Sequence, residues 1–364
     1  MDNKLLMDLL KTRSLVAAVK EVKPPTTFIQ DRYFSTTPAD IFKTQEVLVQ
    51  YKRAGQPVSP YIFRRSKGIT LKRDGWELRK FEPPMIGLKR ELTIDQLEQM
   101  QFGEGLYAQL LPEQRVAKML MDDIQDLTDA NTRKREVMCA EVIFNNSLIC
   151  NEYNDDMTEV LDTKEIFFYP GNVDPAQYTI ADDWDTSVNG GKKIIDDLHN
   201  MIRKQNKRGI RVTEMLCGPE VADIILNNEY FWNTNDNRGL LTLYNIIPEE
   251  LPGGVTKVGR LNVKGRFIDI YSYEEEYEDP KTHEVTPYVP YGMIALGSPS
   301  AYSLKYGAIT QMEMDNAWHT YAGVDIPRSL ADWKAEMREL GLRSRPLPMP
   351  IQESPFVIAK VLGN

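Results

Sequence analysis

The sequence predicts a mixed α+β protein with more than one hydrophobic core, and three observations carry that expectation. The chain has 364 residues, beyond the roughly 250–300 at which a single core stops growing. An apolar three-four period runs through residues 111–148, the mark of a long amphipathic helix. From Glu165 onward, runs of β-branched and aromatic residues alternate with amphipathic stretches that open at proline or close at glycine, as in mixed helix and strand structure. Hydrophobic residues at 42% and charged residues at 27% suit a globular protein, and no stretch reaches the ~20 apolar residues that span a bilayer.

Taken in order, "MDNKLLMDLLKTRSLVAAVK" sets Lys4, Asp8, Lys11 and Arg13 among leucines. It reads as a short amphipathic helix without a signal peptide's apolar centre, so residence in a cytoplasm is expected. Prolines 24, 25 and 38 and the lack of a period make the next stretch an extended arm. Residues 46–92 carry short alternating stretches around Gly55, Gly68 and Gly75, the pattern of a long two-stranded excursion. Thr93 and Gln96 have capping-box spacing for a short helix. Pro112 suits the first turn of the long helix, whose period lapses through "TDANTRKRE". The segment is either one helix of ~50 Å, at 1.5 Å per residue, or two bent near Thr128 to Asn131.

Beyond Glu165, "EIFFYP" is a strand, "GGKKIIDDLHNMIRKQNKRG" a helix ending near Gly209, and "IRVTEMLCGP" a strand leading to a helix opened by Pro219. A strand, an acidic turn at Asp279 to Thr282 and a return strand follow. "SLADWKAEMRELG" has helical spacing, opening on Ser329 with Asp332 three residues on and closing on Gly341 as C-cap. The terminal "RPLPMPIQESPFVIAKV" approaches through prolines, which exclude a helix, and ends in an interior-type strand that must pair with something laid down earlier.

The net charge of −9 is uneven. Between Tyr51 and Arg90 eleven basic residues face three acidic ones, a balance of +8, which leaves −17 for the rest. Glu274, Glu275, Glu276, Glu278 and Asp279 crowd one turn. Opposite patches let copies of a chain attract one another and fix their register. Tyr51, Tyr61, Phe63 and Trp76 among the basic residues also suit a single-strand nucleic-acid platform, against which stands the overall acidity. His199, His283 and His319 lack metal-ligand spacing, and the three cysteines form neither a disulfide framework nor a Cys-x-x-Cys pair. "NGGKKI" lacks both the first glycine and the Ser/Thr of a phosphate loop. No cofactor site and no catalytic signature is expected; an arm, a charged excursion without its own core and a long helix make sense when neighbours complete them.

The order of "TFIQDRYF", the basic excursion, "RKREVMCAEVIF", the tryptophan of "DDWD", "YGMIALGSPSAYSLKYGAITQMEMD" and "RSRPLPMPIQESPFVIAKV" resembles the major capsid protein E family of lambda-like tailed bacteriophages, which share the Hong Kong 97-type capsid fold. The resemblance implies an N-terminal arm (1–45), an extended E-loop (46–92), a peripheral domain (93–184) with a spine helix at 113–147, an axial domain (185–300), and a return (301–364) whose last strand completes the peripheral sheet. It implies pentamers and hexamers of an icosahedral shell enclosing double-stranded DNA, contacted non-specifically, in a virion assembled in the bacterial cytoplasm. A separate scaffolding protein, a portal and a decoration protein are the implied partners, and no membrane is involved. Arg64, Arg65, Lys67, Lys72 and Arg73 would contact the next subunit from the E-loop, and Phe28, Arg32, Tyr33 and Phe34 from the arm. Glu274, Glu275 and Glu276 are the candidate acidic partner. Encapsulin compartments share the fold and are the nearest rival reading; a nucleic-acid-binding protein is the rival from another class.

Overall fold

A computed structural model describes residues 27–52, 58–64, 76–93, 112–154, 159–168, 176–231, 244–245, 248–279, 281–313, 316–332 and 337–363. The N-terminal amphipathic helix and the short helix expected after Thr93 lie outside these residues. The described chain opens with a short helix, α1 (Phe28–Tyr33), and a two-residue strand, β1 (Phe34–Ser35). The basic excursion contributes β2 (Val47–Lys52) and β3 (Trp76–Phe81), which pair antiparallel, followed by β4 (Ile86–Thr93), while Gly55, Gly68 and Gly75 lie outside the described residues. The long helix α2 (Pro112–Asn145) is one element, without a break at Thr128 to Asn131. Its threonines are satisfied inside the helix: the Thr128 hydroxyl donates to the Ile124 carbonyl at 2.7 Å and Thr132 to that of Thr128 at 2.8 Å. Asn146, at φ 56°, ends the helix, and a hairpin of β5 (Ser147–Tyr153) and β6 (Val160–Phe167) follows.

The α/β part comprises α3 (Val188–Lys207), β7 (Glu214–Cys217), α4 (Pro219–Leu226), β8 (Tyr244–Asn245), β9 (Glu249–Leu251), β10 (Val255–Val263), β11 (Arg266–Tyr273), the acidic hairpin β12 (Glu276–Glu278) and β13 (Val285–Pro287), and β14 (Met293–Gly297). Ser187 caps α3 by accepting from the Gly190 N–H at 3.0 Å. The glycines of "NGGKKI" serve packing: a Cβ on Gly190 would lie 2.0 Å from Asp185 Oδ1, and one on Gly191 2.4 Å from Asn228 Oδ1.

The chain returns through β15 (Tyr302–Tyr306), the hairpin β16 (Ile309–Met312) and β17 (Trp318–Tyr321), β18 (Ile326–Asp332), β19 (Met337–Ser344), β20 (Pro346–Pro350) and β21 (Val357–Lys360). The helix expected across "SLADWKAEMRELG" does not form. Its two ends are antiparallel strands, with β18 pairing β19 from Ile326 opposite Arg343 to Asp332 opposite Met337. The reason is tertiary: β19 also pairs along its whole length with β4, and Leu340 and Leu342 pack on Leu120, Ile124 and Leu127 of α2, which outweighs weak helix propensity.

β20 pairs antiparallel with β15, placing Pro346, Pro348 and Pro350 opposite Tyr306, Leu304 and Tyr302. Since β20 is the outer strand of the order β1-β15-β20, a proline at every second position removes only the N–H groups that would point away from β15. The terminal strand departs from expectation. β21 pairs with β14 in the seven-stranded sheet, whose order is β21-β14-β7-β11-β10-β8 with β9 beside β10. β20, not β21, belongs to the small sheet. Pro355 and the residues before it carry the chain from one sheet to the other, and Phe356, buried against Tyr33 and Tyr302, plugs the passage.

The buried side chains form two large clusters and a small one. One joins α1, the C-terminal half of α2, β15 and β20. The second packs α3 and α4 on the central sheet and includes Trp184, whose indole donates to Asp197 Oδ2 at 3.1 Å. The third holds the outer end of α2 against β19.

Candidate assembly site

The centre of α2 is polar and yet buried: Thr128, Asn131, Thr132, Arg135 and Glu136 are all withdrawn from solvent. Buried polar groups require partners, and the partners here come from far along the chain. Glu136 Oε1 accepts from the Ile29 N–H at 2.8 Å and the Tyr273 hydroxyl at 3.1 Å, and Oε2 accepts from the Gln30 N–H at 2.9 Å. Those amides belong to the first turn of α1, whose own N-cap residue, Thr27, makes no side-chain cap. A carboxylate from α2 therefore satisfies the donors a helix start leaves open. Burial pushes the Glu136 carboxyl up to about 7 against the pull of these three donors.

The preceding residue faces another element. Arg135 Nη1 donates to both oxygens of Asp325, at 2.8 and 3.0 Å, while Nη2 donates to Thr132 Oγ1 at 2.8 Å. Asn131 adds a bond to Asp325 Oδ1 at 3.1 Å. With side chains 3% and 6% exposed, Arg135 and Asp325 are a desolvated ion pair, and such a pair tolerates the loss of neither partner.

At the other end of α1, Arg32 Nε and Nη2 donate to the Glu214 carboxylate at 2.7 and 2.5 Å, and Nη2 also donates to the Tyr271 hydroxyl at 2.7 Å. The guanidinium lies 4.3 Å from the centre of the Tyr271 ring, a cation–π contact. Hydrogen bonding to Glu214 raises the Arg32 pKa. Tyr33 meets Phe356 edge-on at 5.1 Å, Phe34 stacks on Tyr302 at 4.8 Å, and Phe28 packs on Tyr271 at 5.5 Å. Phe28, Arg32, Tyr33 and Phe34 thus form a strap on their own subunit, because the Tyr33 and Phe34 rings find a buried site there.

Much of the uncovered apolar surface among the described residues sits on the hairpins. Val58, Tyr61 and Phe63, between β2 and β3, are 79–105% exposed, and Leu48 and Leu78 of those strands are exposed as well. Ile149 and Leu161 are exposed on β5–β6, and Met312 and Trp318 face each other across β16–β17 with both side chains open. Arg64 is exposed at a turn; Arg65, Lys67, Lys72 and Arg73 lie outside the described residues. Glu274 and Glu276 are exposed, whereas Glu275 is half-buried and accepts from the Tyr273 hydroxyl at 3.2 Å. Asp279 organises the acidic turn by accepting from the N–H groups of Lys281 and Thr282. Among the described residues no ion pair joins residues 46–92 to Glu274, Glu275 or Glu276 within the subunit. Among them, too, no three His, Cys, Asp or Glu side chains are grouped to hold a metal ion, and no helix is long and apolar enough to cross a membrane.

Residues 11–361 match the family model of phage major capsid protein E. Among solved structures, a crystal structure described as a prophage capsid protein from E. coli CFT073 superposes with a TM-score of 0.63 at 16% identity, over 96% of this chain and 99% of that one. That likeness establishes the fold. The mature capsid of bacteriophage PhiM1 reaches a TM-score of 0.47 at 10% identity over 93% and 88% of the two chains. An encapsulin complex from Synechococcus elongatus PCC 7942 reaches 0.42 at 10% identity over 95% of each. No curated protein matches the sequence.

Proposed function

The chain belongs to the phage major capsid protein E family, and from that premise we propose that it builds the closed shell of a phage head from pentamers and hexamers of identical subunits. The observation that carries this reading is the family match across residues 11–361. Two features of the subunit support it. The hairpins β2–β3, β5–β6 and β16–β17 are two-stranded ribbons, and such ribbons are marginally stable until something packs on them. Each also presents large apolar side chains to solvent, which mark contact surfaces when they cluster.

In this reading residues 46–92 extend over the next subunit, with Arg64, Arg65, Lys67, Lys72 and Arg73 facing acidic surface there. Exposed Glu274 and Glu276 are the nominated partners. The shell encloses double-stranded DNA and assembles in the bacterial cytoplasm with a separate scaffolding protein, a portal and a decoration protein. The test is to express the full chain alone and with its neighbouring phage genes, and to image the soluble fraction by negative-stain electron microscopy. Closed shells or capsomers are expected; a persistent monomer under both conditions overturns the reading. Reversing Lys72 and Arg73 to Glu is expected to block particles while leaving the subunit folded, and unaltered shells would remove the electrostatic part.

A further inference from the structure

The three-stranded sheet of β18, β19 and β4 has one face on α2 and one face turned away from it. Leu340 and Leu342 point to the helix, so the alternation of strands puts Gly341 and Arg343 of β19 on the other face. Register carries this across the sheet. Arg343 stands opposite Gly87 and Ile326, and Gly341 stands between Lys89 and Arg328. Arg328 and Arg343 are therefore diagonal neighbours on one face, with no side chain on Gly341 to separate them.

Both arginines are half-buried, and neither has a carboxylate within ion-pairing distance among the described residues. The one acidic group acting on Arg343 is Glu339, whose carboxylate lies 3.6 Å from Lys89 Nζ. The Nε–H of Arg328 is buried and finds no acceptor. Burial lowers the Arg343 pKa, and the neighbouring Arg328 lowers it further. Two desolvated like charges side by side are unfavourable in an isolated subunit. A carboxylate placed between them would bond both guanidinium groups, a geometry arginine suits and lysine does not.

We propose that Arg328 and Arg343 form a socket for a carboxylate of a second copy of this chain, filled when subunits assemble. A copy of the chain fits because its residues outside Tyr51–Arg90 carry the −17 excess. The socket rests on the self-assembly reading, and the test separates the two. Arg328→Met and Arg343→Met keep side-chain length and remove charge. The unassembled full chain and its particle yield by sedimentation are compared for wild type, both variants and Arg343→Lys.

For each Met variant the melting temperature of the unassembled subunit is expected to stay level or to rise by about 1–3 °C, while particle yield falls at least tenfold. Arg343→Lys is expected to recover only part of the yield. If wild type forms no particles, the self-assembly reading itself fails. If wild type assembles and the Met variants assemble equally well, the socket is overturned. A fall of several degrees in the subunit's melting temperature overturns it too, by showing that the arginines are satisfied within their own chain. Normal empty shells with weakened DNA retention would reassign the pair to phosphate contact and overturn it likewise.

Discussion

Replacing Glu136 by Ala removes the acceptor shared by the Ile29 and Gln30 amides and the Tyr273 hydroxyl. The Tyr273 hydroxyl keeps Glu275 Oε2 at 3.2 Å as an acceptor, so two buried donors, the Ile29 and Gln30 amides, are left unpaired, at about 1–3 kcal/mol each, roughly 2–6 kcal/mol together. The carboxyl also carries a pH signature. Its pKa is raised from an ordinary 4.5 to about 7, so the native state holds the proton more tightly than the unfolded chain does. The stabilisation from that proton is complete below pH 4.5 and is lost as the pH rises through about 7. At 1.36 kcal/mol per pKa unit, the loss between pH 5 and pH 8 is about 2–3 kcal/mol. The penalty for Glu136→Ala is therefore larger at pH 5 than at pH 8 by that amount. Urea denaturation of the unassembled subunit at both pH values measures it, with hydrogen exchange of the peptide containing Ile29 and Gln30 as a local readout. A penalty independent of pH, or exchange at these amides that does not accelerate, would refute the assignment of Glu136 as the cap of α1.

Asp325→Asn leaves Arg135, 3% exposed, without its charged partner; a loss of about 3–5 kcal/mol is expected, read as a lower urea midpoint at unchanged slope. Gly297→Ala would place a Cβ 2.4 Å from the Phe356 ring, and a cost of about 1–3 kcal/mol from overpacking should appear as a lower melting temperature. In a double-mutant cycle, Glu136→Ala and Arg32→Ala each free the same short strap, so the double variant should lose less than the sum by about 0.5–3 kcal/mol; strict additivity would mean that the two anchors act separately. Cys150, pushed up to about 11 chiefly by burial, is expected to react with a thiol reagent at pH 7.5 far more slowly than an exposed cysteine, as followed by absorbance.

Much of this architecture was legible because it is written locally. Pro112 and Pro219 mark helix starts by their own chemistry, and the three-four period of α2 survives its polar centre because threonines can bond back along the helix. What failed was non-local. "SLADWKAEMRELG" has helical spacing, but a strand partner more than two hundred residues earlier, β4, captures β19. The aromatic residues of "TFIQDRYF" carry no local sign that Phe356 and Tyr302 receive them within the subunit. The anchoring charged groups of α2 had a signal that period-counting treats as noise: the lapse at "TDANTRKRE" is where Arg135 and Glu136 turn inward. The paired arginines had none, since their adjacency arises from the register of β18 on β19.

The strap explains why so polar a segment belongs at the centre of the spine. α1 is six residues long, too short to be stable alone, and each end is held by an acid from a different element: Glu136 of α2 at its start and Glu214 of β7 near its end. Tyr273, of the same sheet as Glu214, closes the circuit by donating to Glu136. An apolar contact at either end would allow sliding, since it has no preferred direction. Charge-assisted bonds to backbone amides and a guanidinium do not, because a shift of an ångström leaves buried groups unpaired. The helix and the central sheet are thus fixed to one another by geometry rather than by area, and a shell subunit with such a crosstie transmits a load on one part to the other.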